Sequence, residues 1–189
     1  MIKIGVLGST KGTDLQPILD EIAKGKLKAK VSVVVSNIQN AYILERANKN
    51  NVPSFFISHK NKTREEFDNK ITKLFLKYDV ELILLIGFMR ILSPKFCLQW
   101  QDKVLNVHPS LLPKYSGEMD IGVHEKVIKN KDKETGCTIH FVTEDLDCGP
   151  ILVQKKCSVN RFDDAKTLKE KVQKLEGQAF LEAIKLFYY

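Results

Sequence analysis

Residues Leu105 to Pro113 read Leu-Asn-Val-His-Pro-Ser-Leu-Leu-Pro, and the rest of the chain is organised around this stretch. It begins as a short apolar strand. Asn106 and His108 lie two positions apart, so a strand points both side chains to the same face. Pro109 ends the strand, because proline has no backbone N–H for a sheet. A carboxamide beside an imidazole can direct two donors at a developing oxyanion. Alternatively, the two side chains are polar groups that are satisfied locally at a strand end.

Strand and helix signals alternate on both sides of this stretch. Ile2–Leu7 and Val80–Ile86 are almost wholly apolar, which is typical of parallel strands buried on both faces. The other predicted strands cover 31–35, 54–57, 136–142 and 151–159. The predicted helices cover 15–23, 41–49 and 62–78. A short helical segment is predicted at 127–128, and a long C-terminal helix is predicted after a cap at Asp163 or Asp164. This order predicts an α/β fold with one open, mostly parallel sheet and helices on both faces. Ligands in such folds bind at the carboxyl ends of the strands.

Composition indicates one ordinary globular domain over residues 1–189. The chain is 43% hydrophobic and 28% charged, and one core is expected at this length. No apolar run approaches the roughly 20 residues of a membrane span, and the N terminus reads as a core strand rather than a signal peptide. The four cysteines form no C-x-x-C pair, which favours reduced thiols in a cytoplasmic protein over zinc or disulfide sites. The four histidines show no ligand spacing, so no metal is expected.

A net charge of +7 raises the question of nucleic-acid binding. Only four of the 30 basic residues are arginines, namely Arg46, Arg64, Arg90 and Arg161. The lysines are scattered, whereas nucleic-acid readers concentrate basic residues and interleave Arg or aromatics. We therefore interpret the charge as a lysine-rich solvated surface, with a positive field that attracts small anionic substrates. No nucleic-acid partner is expected.

Three further motifs accompany the Asn-x-His stretch: Gly-Phe-Met-Arg-Ile-Leu-Ser-Pro at 87–94, Gly-Cys-Thr-Ile-His-Phe-Val-Thr at 136–143, and Leu-Asp-Cys-Gly-Pro-Ile at 146–151. They occur in the order, and close to the spacing, of the folate-dependent formyltransferases. Over essentially its full length the chain resembles this family, and within it the members that act on glycinamide ribonucleotide. Four motifs in order are much more specific than any one of them.

The resemblance implies three catalytic residues. Asn106 and protonated His108 would donate hydrogen bonds to the oxyanion, and Asp147 would lie near the histidine and relay protons. By itself, Asp147 precedes a Gly-Pro turn, where an aspartate usually bonds its own backbone. His140 lies one strand earlier and is either a support for the site or a satisfied core histidine.

The resemblance also implies two halves with different tasks. The half over residues 1–100, approximately, carries a phosphate loop aligned on Gly12, Thr13 and Asp14. The half over residues 101–189, approximately, carries the catalytic residues and the folate site. The domain as a whole is a Rossmann-like sheet in this family.

Further binding residues are implied outside the phosphate loop. The folate pocket is lined by four consecutive residues, Met89, Arg90, Ile91 and Leu92. Arg64 matches a position that contacts substrate. Gln173 and Glu176 lie three apart on the last helix, hence on one face, and match positions that hold the glycinamide amine. From the residues alone, the arginines are equally surface side chains and the last pair is equally solvated.

The first loop leads into a helix start. Thr13-Asp14-Leu15-Gln16 predicts a capping box with Thr13 as N-cap and Gln16 reaching back. A glycine-containing loop before a capped helix can bind one phosphate through free N–H groups, although an ordinary β-α turn has the same pattern. Asp14 departs from the family, in which the aligned residue is often Asn. We expect its carboxylate to turn away from the phosphate.

The resemblance implies formyl transfer from 10-formyltetrahydrofolate, a co-substrate, to the amine of glycinamide ribonucleotide in purine biosynthesis, with no tightly bound cofactor. Three alternatives stay open: a formyltetrahydrofolate hydrolase, methionyl-tRNA formyltransferase, or a non-catalytic module that binds folate or a phosphosugar. The first two families carry an extra domain at one end, which is not expected in a chain that starts at its first strand and ends at Tyr189. The oligomeric state is not set by the sequence.

One loop is expected to move. Tyr115–His124 is a few residues longer than the aligned loop of common bacterial relatives and contains Gly117 and Gly122, which give two flexible points. We expect it to be mobile without folate and to close over the pterin when folate binds. The alternative is a surface loop with no part in binding.

Overall fold

Seven strands form one sheet in the computed structural model, which describes residues 1–188. Tyr189, the last residue of the predicted domain, lies outside the described residues. The strands are β1 (Ile2–Leu7), β2 (Ala29–Ser36), β3 (Ser54–Phe56), β4 (Leu82–Leu85), β5 (Val104–His108), β6 (Glu134–Phe141) and β7 (Ile151–Ser158). Their spatial order is β3-β2-β1-β4-β5-β6-β7. The first five are parallel, and β6 and β7 run antiparallel to their neighbours. The predicted open, mostly parallel sheet is confirmed.

Six helices pack on the two faces of the sheet within residues 1–188. They are α1 (Leu15–Ala23), α2 (Tyr42–Lys49), α3 (Arg64–Lys77), α4 (Pro94–Gln99), α5 (Ile121–Lys129) and α6 (Ala165–Lys185). One apolar cluster joins α1, α2 and α6 to the sheet, and a second joins α3 and α4 to the opposite face. Because α1 and α6 share a face that α3 does not, side chains from α3 are separated by the sheet from those at the start of α1.

The strand order reverses between β1 and β4, and the loops that follow these strands meet there. The Ser9 N–H donates to the Gly87 carbonyl at 3.0 Å, and the Met89 N–H donates to Ser9 Oγ at 2.9 Å. Gly87 has φ +58°, and a Cβ at this position would lie 2.2 Å from Thr10 Oγ1. Only glycine fits this contact. Ligands of open α/β sheets bind at such a reversal point, so the two loops form one floor for a site.

Two local expectations about helices are wrong. The N-cap of α1 is Asp14 rather than Thr13, and it makes no side-chain capping bond. Gln16 does not reach back, because its carbonyl oxygen accepts from Arg46 at 2.7 Å and its amide donates to Asp20 at 2.8 Å. No helix is predicted at α4, although Ser93 accepts from the Phe96 N–H as its N-cap.

The loop after β5 is shorter than predicted. Helix α5 begins at Ile121, inside the stretch expected to be a loop through His124. Tyr115 and Asp120 both have positive φ, at 61° and 52°. The irregular part of the predicted mobile loop is therefore 115–120. At the other end of the chain, Asp164 caps α6, one of the two predicted residues, with a reciprocal bond to Thr167.

Candidate active site

The antiparallel pairing of β5 with β6 builds the centre of the site. Asn106 pairs with His140 in this register. Asn106 Nδ2 lies 3.2 Å from His140 Nε2, and His140 Nδ1 lies 2.9 Å from the Phe141 carbonyl oxygen. The histidine therefore donates through Nδ1 and accepts from the amide through Nε2. This fixes the orientation of the Asn106 amide and leaves its second N–H for another acceptor.

A tight turn after β6 carries Asp147 into the same place. Asp147 has φ 55°, and a Cβ on Gly149 would lie 1.8 Å from the Phe141 carbonyl oxygen, so the turn is pressed against the strand. Asp147 Oδ2 lies 3.2 Å from His108 Nδ1, and Oδ1 lies 3.6 Å from His140 Nε2. All three side chains are less than 10% exposed. The turn thus builds a buried Asn-His-His-Asp cluster.

The cluster keeps Asp147 ionised. Burial alone would raise the pKa of this carboxyl, but hydrogen bonds from His108 and from the Gly117 amide, with the attraction of both histidine rings, hold it below its usual value. His140 responds oppositely, because burial lowers its pKa more than the Phe141 carbonyl and Asp147 raise it. The site therefore contains one anion at Asp147 and a neutral His140 beside it.

The segment after β5 closes over His108. The Tyr115 carbonyl oxygen lies 3.0 Å from His108 Nε2, and the Gly117 N–H donates to Asp147 Oδ2 at 2.8 Å. Both ring nitrogens of His108 therefore face hydrogen-bond acceptors. A ring with an N–H group on each nitrogen can donate to both. A ligand oxygen can reach the Nε2 donor only when it takes the place of the Tyr115 carbonyl.

A second group of predicted residues meets where α1 begins. Gly12 is buried with φ +62°, and a Cβ there would lie 2.4 Å from the Ile43 side chain. Thr13 is exposed, and Asp14 is buried with its carboxyl hydrogen-bonded to the buried Glu176 of α6. A cavity of about 650 Å³ opens beside them, lined in part by Thr13, Asp14, Gln173 and Gly177. The structure thus brings together five of the six predicted substrate-binding residues, Gly12, Thr13, Asp14, Gln173 and Glu176.

The predicted folate segment divides into exposed and buried side chains. Met89 and Ile91 are about half exposed, whereas Leu92 is buried in the core with α3 and α4. Leu92 can therefore line a pocket only with its main chain, and its predicted contact with folate stays a prediction. The Arg90 guanidinium lies over the Phe67 ring, 5.0 Å from its centroid, in a cation–π contact.

Arg64 lies with the folate segment and not with the phosphate loop. It is the first residue of α3, on the face of the sheet opposite α1 and α6. Arg64 and Arg90 both act on Asp68, whose carboxylate accepts from the Ser93 N–H at 2.6 Å. Burial raises the pKa of Asp68, while the Ser93 bonds and the two arginines oppose that rise. Arg64 is therefore the one predicted substrate-binding residue that lies apart from the other five.

Sequence reasoning left several contacts of this site unassigned. The sequence left two roles possible for His140, a support for the site or a satisfied core histidine. The structure places it against Asn106 and Asp147. His140 lies opposite Asn106 because β6 runs antiparallel to β5. The alternation of side chains in residues 136–142 does not indicate the direction in which that strand runs. The Tyr115 carbonyl and the Gly117 amide are backbone groups, so no side-chain motif points to them.

No helix within residues 1–188 has the length and apolar character of a membrane span. In the same part of the chain, no group of three or more His, Cys, Asp or Glu side chains forms a metal-ligand cluster.

Comparison with known proteins defines the class to which this site belongs. Residues 2–184 match the family model described as formyl transferase. The chain belongs to the formyl transferase family.

Its relatives within that family include enzymes of purine biosynthesis. It is 38% identical to phosphoribosylglycinamide formyltransferase of Haemophilus influenzae, over 99% of this chain and 87% of that protein. It is 41% identical to the trifunctional purine biosynthetic protein adenosine-3 of Chironomus tentans, over 97% of this chain but only 13% of that protein. The crystal structure of glycinamide ribonucleotide transformylase 1 from Symbiobacterium toebii superposes with a TM-score of 0.94 at 36% identity, covering 99% of this chain and 87% of that one.

Proposed function

We propose that this chain transfers the formyl group of 10-formyltetrahydrofolate to the primary amine of glycinamide ribonucleotide in purine biosynthesis. The observation that carries this proposal is the cluster of Asn106 with the buried His108, His140 and Asp147 side chains at the carboxyl end of β5. Relatives named for this reaction support the choice of substrates. The nucleophile is the substrate amine, so the protein needs no nucleophile of its own.

The cluster supplies donors for the intermediate. When the amine attacks the formyl carbon, the carbonyl oxygen becomes an oxyanion. The free N–H of the Asn106 amide and the Nε2–H of His108 can both donate to it, once the Tyr115 carbonyl has left Nε2. Donors fixed before the reaction stabilise developing charge without reorganising, and losing one costs about 10²–10³ in kcat.

Asp147 and His108 then manage the proton. The new C–N bond forms to the substrate amine, and the C–N bond to the folate nitrogen breaks. One proton must leave the attacking amine and reach the departing folate nitrogen. We assign this transfer to His108, which would give its Nε2 proton to the folate nitrogen and take one from the amine, while the Asp147 carboxylate lies against its Nδ1.

The binding residues divide between the two substrates. The phosphate of the ribonucleotide would meet the backbone N–H groups near Gly12 and Thr13, at the N terminus of α1. Gln173 lines the cavity at this end and Glu176 lies behind it against Asp14, so we assign both to the ribonucleotide. The folate would lie along 89–92, and Arg64, which lies with that segment, is assigned to the carboxylates of the folate.

We further propose that both substrates are free small molecules, that no cofactor is tightly bound, and that the enzyme works in the cytoplasm without a nucleic-acid partner. Four free cysteines support that compartment, because oxidising compartments favour disulfides.

Three acceptors offered with 10-formyltetrahydrofolate test the proposal. We expect the formyl group to appear on glycinamide ribonucleotide, with no comparable transfer to charged initiator tRNA and no comparable release of formate in water. Formate as the main product would indicate a hydrolase, formylated tRNA would indicate the tRNA enzyme, and binding of both ligands without turnover would indicate a non-catalytic module.

A further inference from the structure

Two buried carboxyl groups face each other at the start of α1. Asp14 and Glu176 are only 6% and 7% exposed, and a hydrogen bond joins their side chains. Two ionised carboxylates held side by side away from water repel each other, so burial favours a pair in which one group keeps its proton. The backbones are close here as well, because a Cβ on Gly177 would lie 2.7 Å from Pro17 Cγ. The packing of α6 on α1 thus holds the two groups together.

The surroundings favour Glu176 as the proton holder. Burial, the charge of Asp14 and the bond between them raise the pKa of Glu176 well above its usual value. Burial also raises the pKa of Asp14, but the bond from Glu176 and the charge of Arg46 limit it to about 6. The Glu176 O–H therefore donates to the Asp14 carboxylate, and with one proton between them the pair bears one negative charge.

Charged groups on neighbouring elements face this pair. Arg46 of α2 attracts Asp14, and Lys169 of α6 attracts Glu176, while Asp120, just before α5, repels it. Cys137 of β6 lies on the sheet beneath both carboxyls, and burial, Glu176 and Asp14 raise the pKa of its thiol, so it stays uncharged.

We propose that Asp14 and Glu176 share one proton, and that this protonated pair is a positioning unit that keeps the phosphate end of the site at a single negative charge. In this arrangement the pair carries no more negative charge than an amide beside one carboxylate would, which explains how a second carboxyl is tolerated beside a dianionic phosphate. A second negative charge would compete with the phosphate for the positive end of α1. Binding of a phosphate ester is therefore coupled to retention of the shared proton. The inference rests on the proposed function for the identity of the substrate and for the place of its phosphate at the start of α1.

Carboxyl 13C NMR of the free protein, with labelled Asp and Glu, measures the proton directly. We expect the two resonances to titrate in separate steps, Asp14 at the lower pH, with Glu176 protonated and Asp14 ionised between the steps. In Asp14→Asn, the Glu176 titration should move to lower pH, because a neighbouring negative charge is gone. Two carboxyls that titrate together near their ordinary values would overturn the shared proton.

Calorimetric binding of ribose 5-phosphate in the same samples tests the positioning role. This probe lacks the substrate amine, so the amine does not titrate. We expect the dissociation constant to rise at least threefold as NMR shows the pair gaining its second negative charge, and Asp14→Asn to lose that rise. Asp20→Asn is the matched control, because it removes an exposed carboxylate from the same helix. Glu176→Gln removes the same shared proton and replaces Asp14→Asn if that variant does not fold.

Superimposable binding profiles for the wild type and Asp14→Asn would overturn the positioning role. The two proposals fail separately in these experiments. A shared proton with pH-linked ribose 5-phosphate binding, but no formyl transfer, would contradict the proposed function alone. Formyl transfer with superimposable profiles would contradict the role of the pair alone.

Discussion

The catalytic end and the phosphate end of this site hold buried carboxyl groups in opposite ways. At the catalytic end, Asp147 accepts hydrogen bonds from His108 and Gly117, so its negative charge is matched by donors. At the phosphate end, Asp14 meets Glu176, a group of the same kind. Matched donors lower the pKa of Asp147, whereas burial and a like neighbour raise those of Asp14 and Glu176. The first end keeps its charge over a wide pH range, and the second changes charge with pH.

The largest expected effect comes from removing a donor at the catalytic end. His108→Ala should lower kcat by about 10²–10³-fold, because one oxyanion donor and the proton carrier are lost together. Steady-state formyl transfer to glycinamide ribonucleotide measures this. His59→Ala is the matched control, since His59 lies beside Asn37 and away from the cluster. Equal turnover in the wild type and His108→Ala would remove the catalytic role.

The next largest effect is expected from removing the charge of Asp147, which tests its pairing with the donors at the catalytic end. Asp147→Asn should lower kcat by about 10²-fold, the low end of acid–base contributions. The pKa of Asp147 is lowered in the fold, so its stabilisation is present above the ordinary carboxyl value and is lost as pH falls through the folded value. Urea unfolding below pH 5 should therefore be less pH-dependent in Asp147→Asn than in the wild type. Asp145→Asn, an exposed neighbour, is the control, and a slope that it shares with Asp147→Asn would refute the pairing.

His124 also makes stability depend on pH, but here the fold favours the neutral form of the side chain, whereas at Asp147 it favours the charged form. It is 1% exposed, and burial, with Lys169, lowers its pKa to about 4. The fold prefers the neutral ring, so this stability is fully present above pH 6.5 and is lost as pH falls toward 4. Between pH 7 and 4.5, the wild type should lose on the order of 2 kcal/mol more unfolding free energy than His124→Gln. Urea unfolding at both pH values measures the difference, with His59→Gln as control, and equal losses would contradict a neutral buried ring.

A smaller effect is expected from the segment that covers His108. The Tyr115 carbonyl must leave His108 Nε2 before an oxyanion can bind there. We expect residues 115–120 to be cut more slowly by protease when a folate analogue is bound, by about threefold if the loop closes over the pterin. Cleavage at the exposed residues 38–40, between β2 and α2, is the internal control. Equal cleavage at 115–120 with and without the analogue would argue against closure.

The sequence predicted the layers of the fold and the position of Asp147 beside His108 better than most of the other contacts. Apolar strands and the Asn-x-His spacing are local patterns, and β5 formed where they predict. The capping box at Thr13 failed because long-range partners prevail: Asp14 bonds Glu176, and Arg46 takes Gln16. Helix α4 was missed although Ser93-Pro94 is an ordinary N-cap followed by proline.

Residues that depend on sheet direction or sheet face were the hardest to place. His140 reaches Asn106 only because β6 is antiparallel. Arg64 lies away from Asp14 because α3 and α1 pack on opposite faces of the sheet. Neither the direction of a strand nor the face chosen by a helix is encoded in the few residues that form the motif. The sequence motifs identified the side chains themselves, but not the residues that His140 and Arg64 contact in the fold.

The most direct test of this division of labour compares Asn106→Ala with Lys11→Ala in one formyl-transfer assay. Lys11 is exposed just before the phosphate loop, so its charge aids binding of the phosphate in the ground state and the transition state alike. We predict that Asn106→Ala lowers kcat by about 10²-fold or more with KM within threefold, and that Lys11→Ala raises KM about threefold to tenfold with little change in kcat. An Asn106→Ala enzyme that changes only KM, or a Lys11→Ala enzyme that loses kcat, would contradict the account.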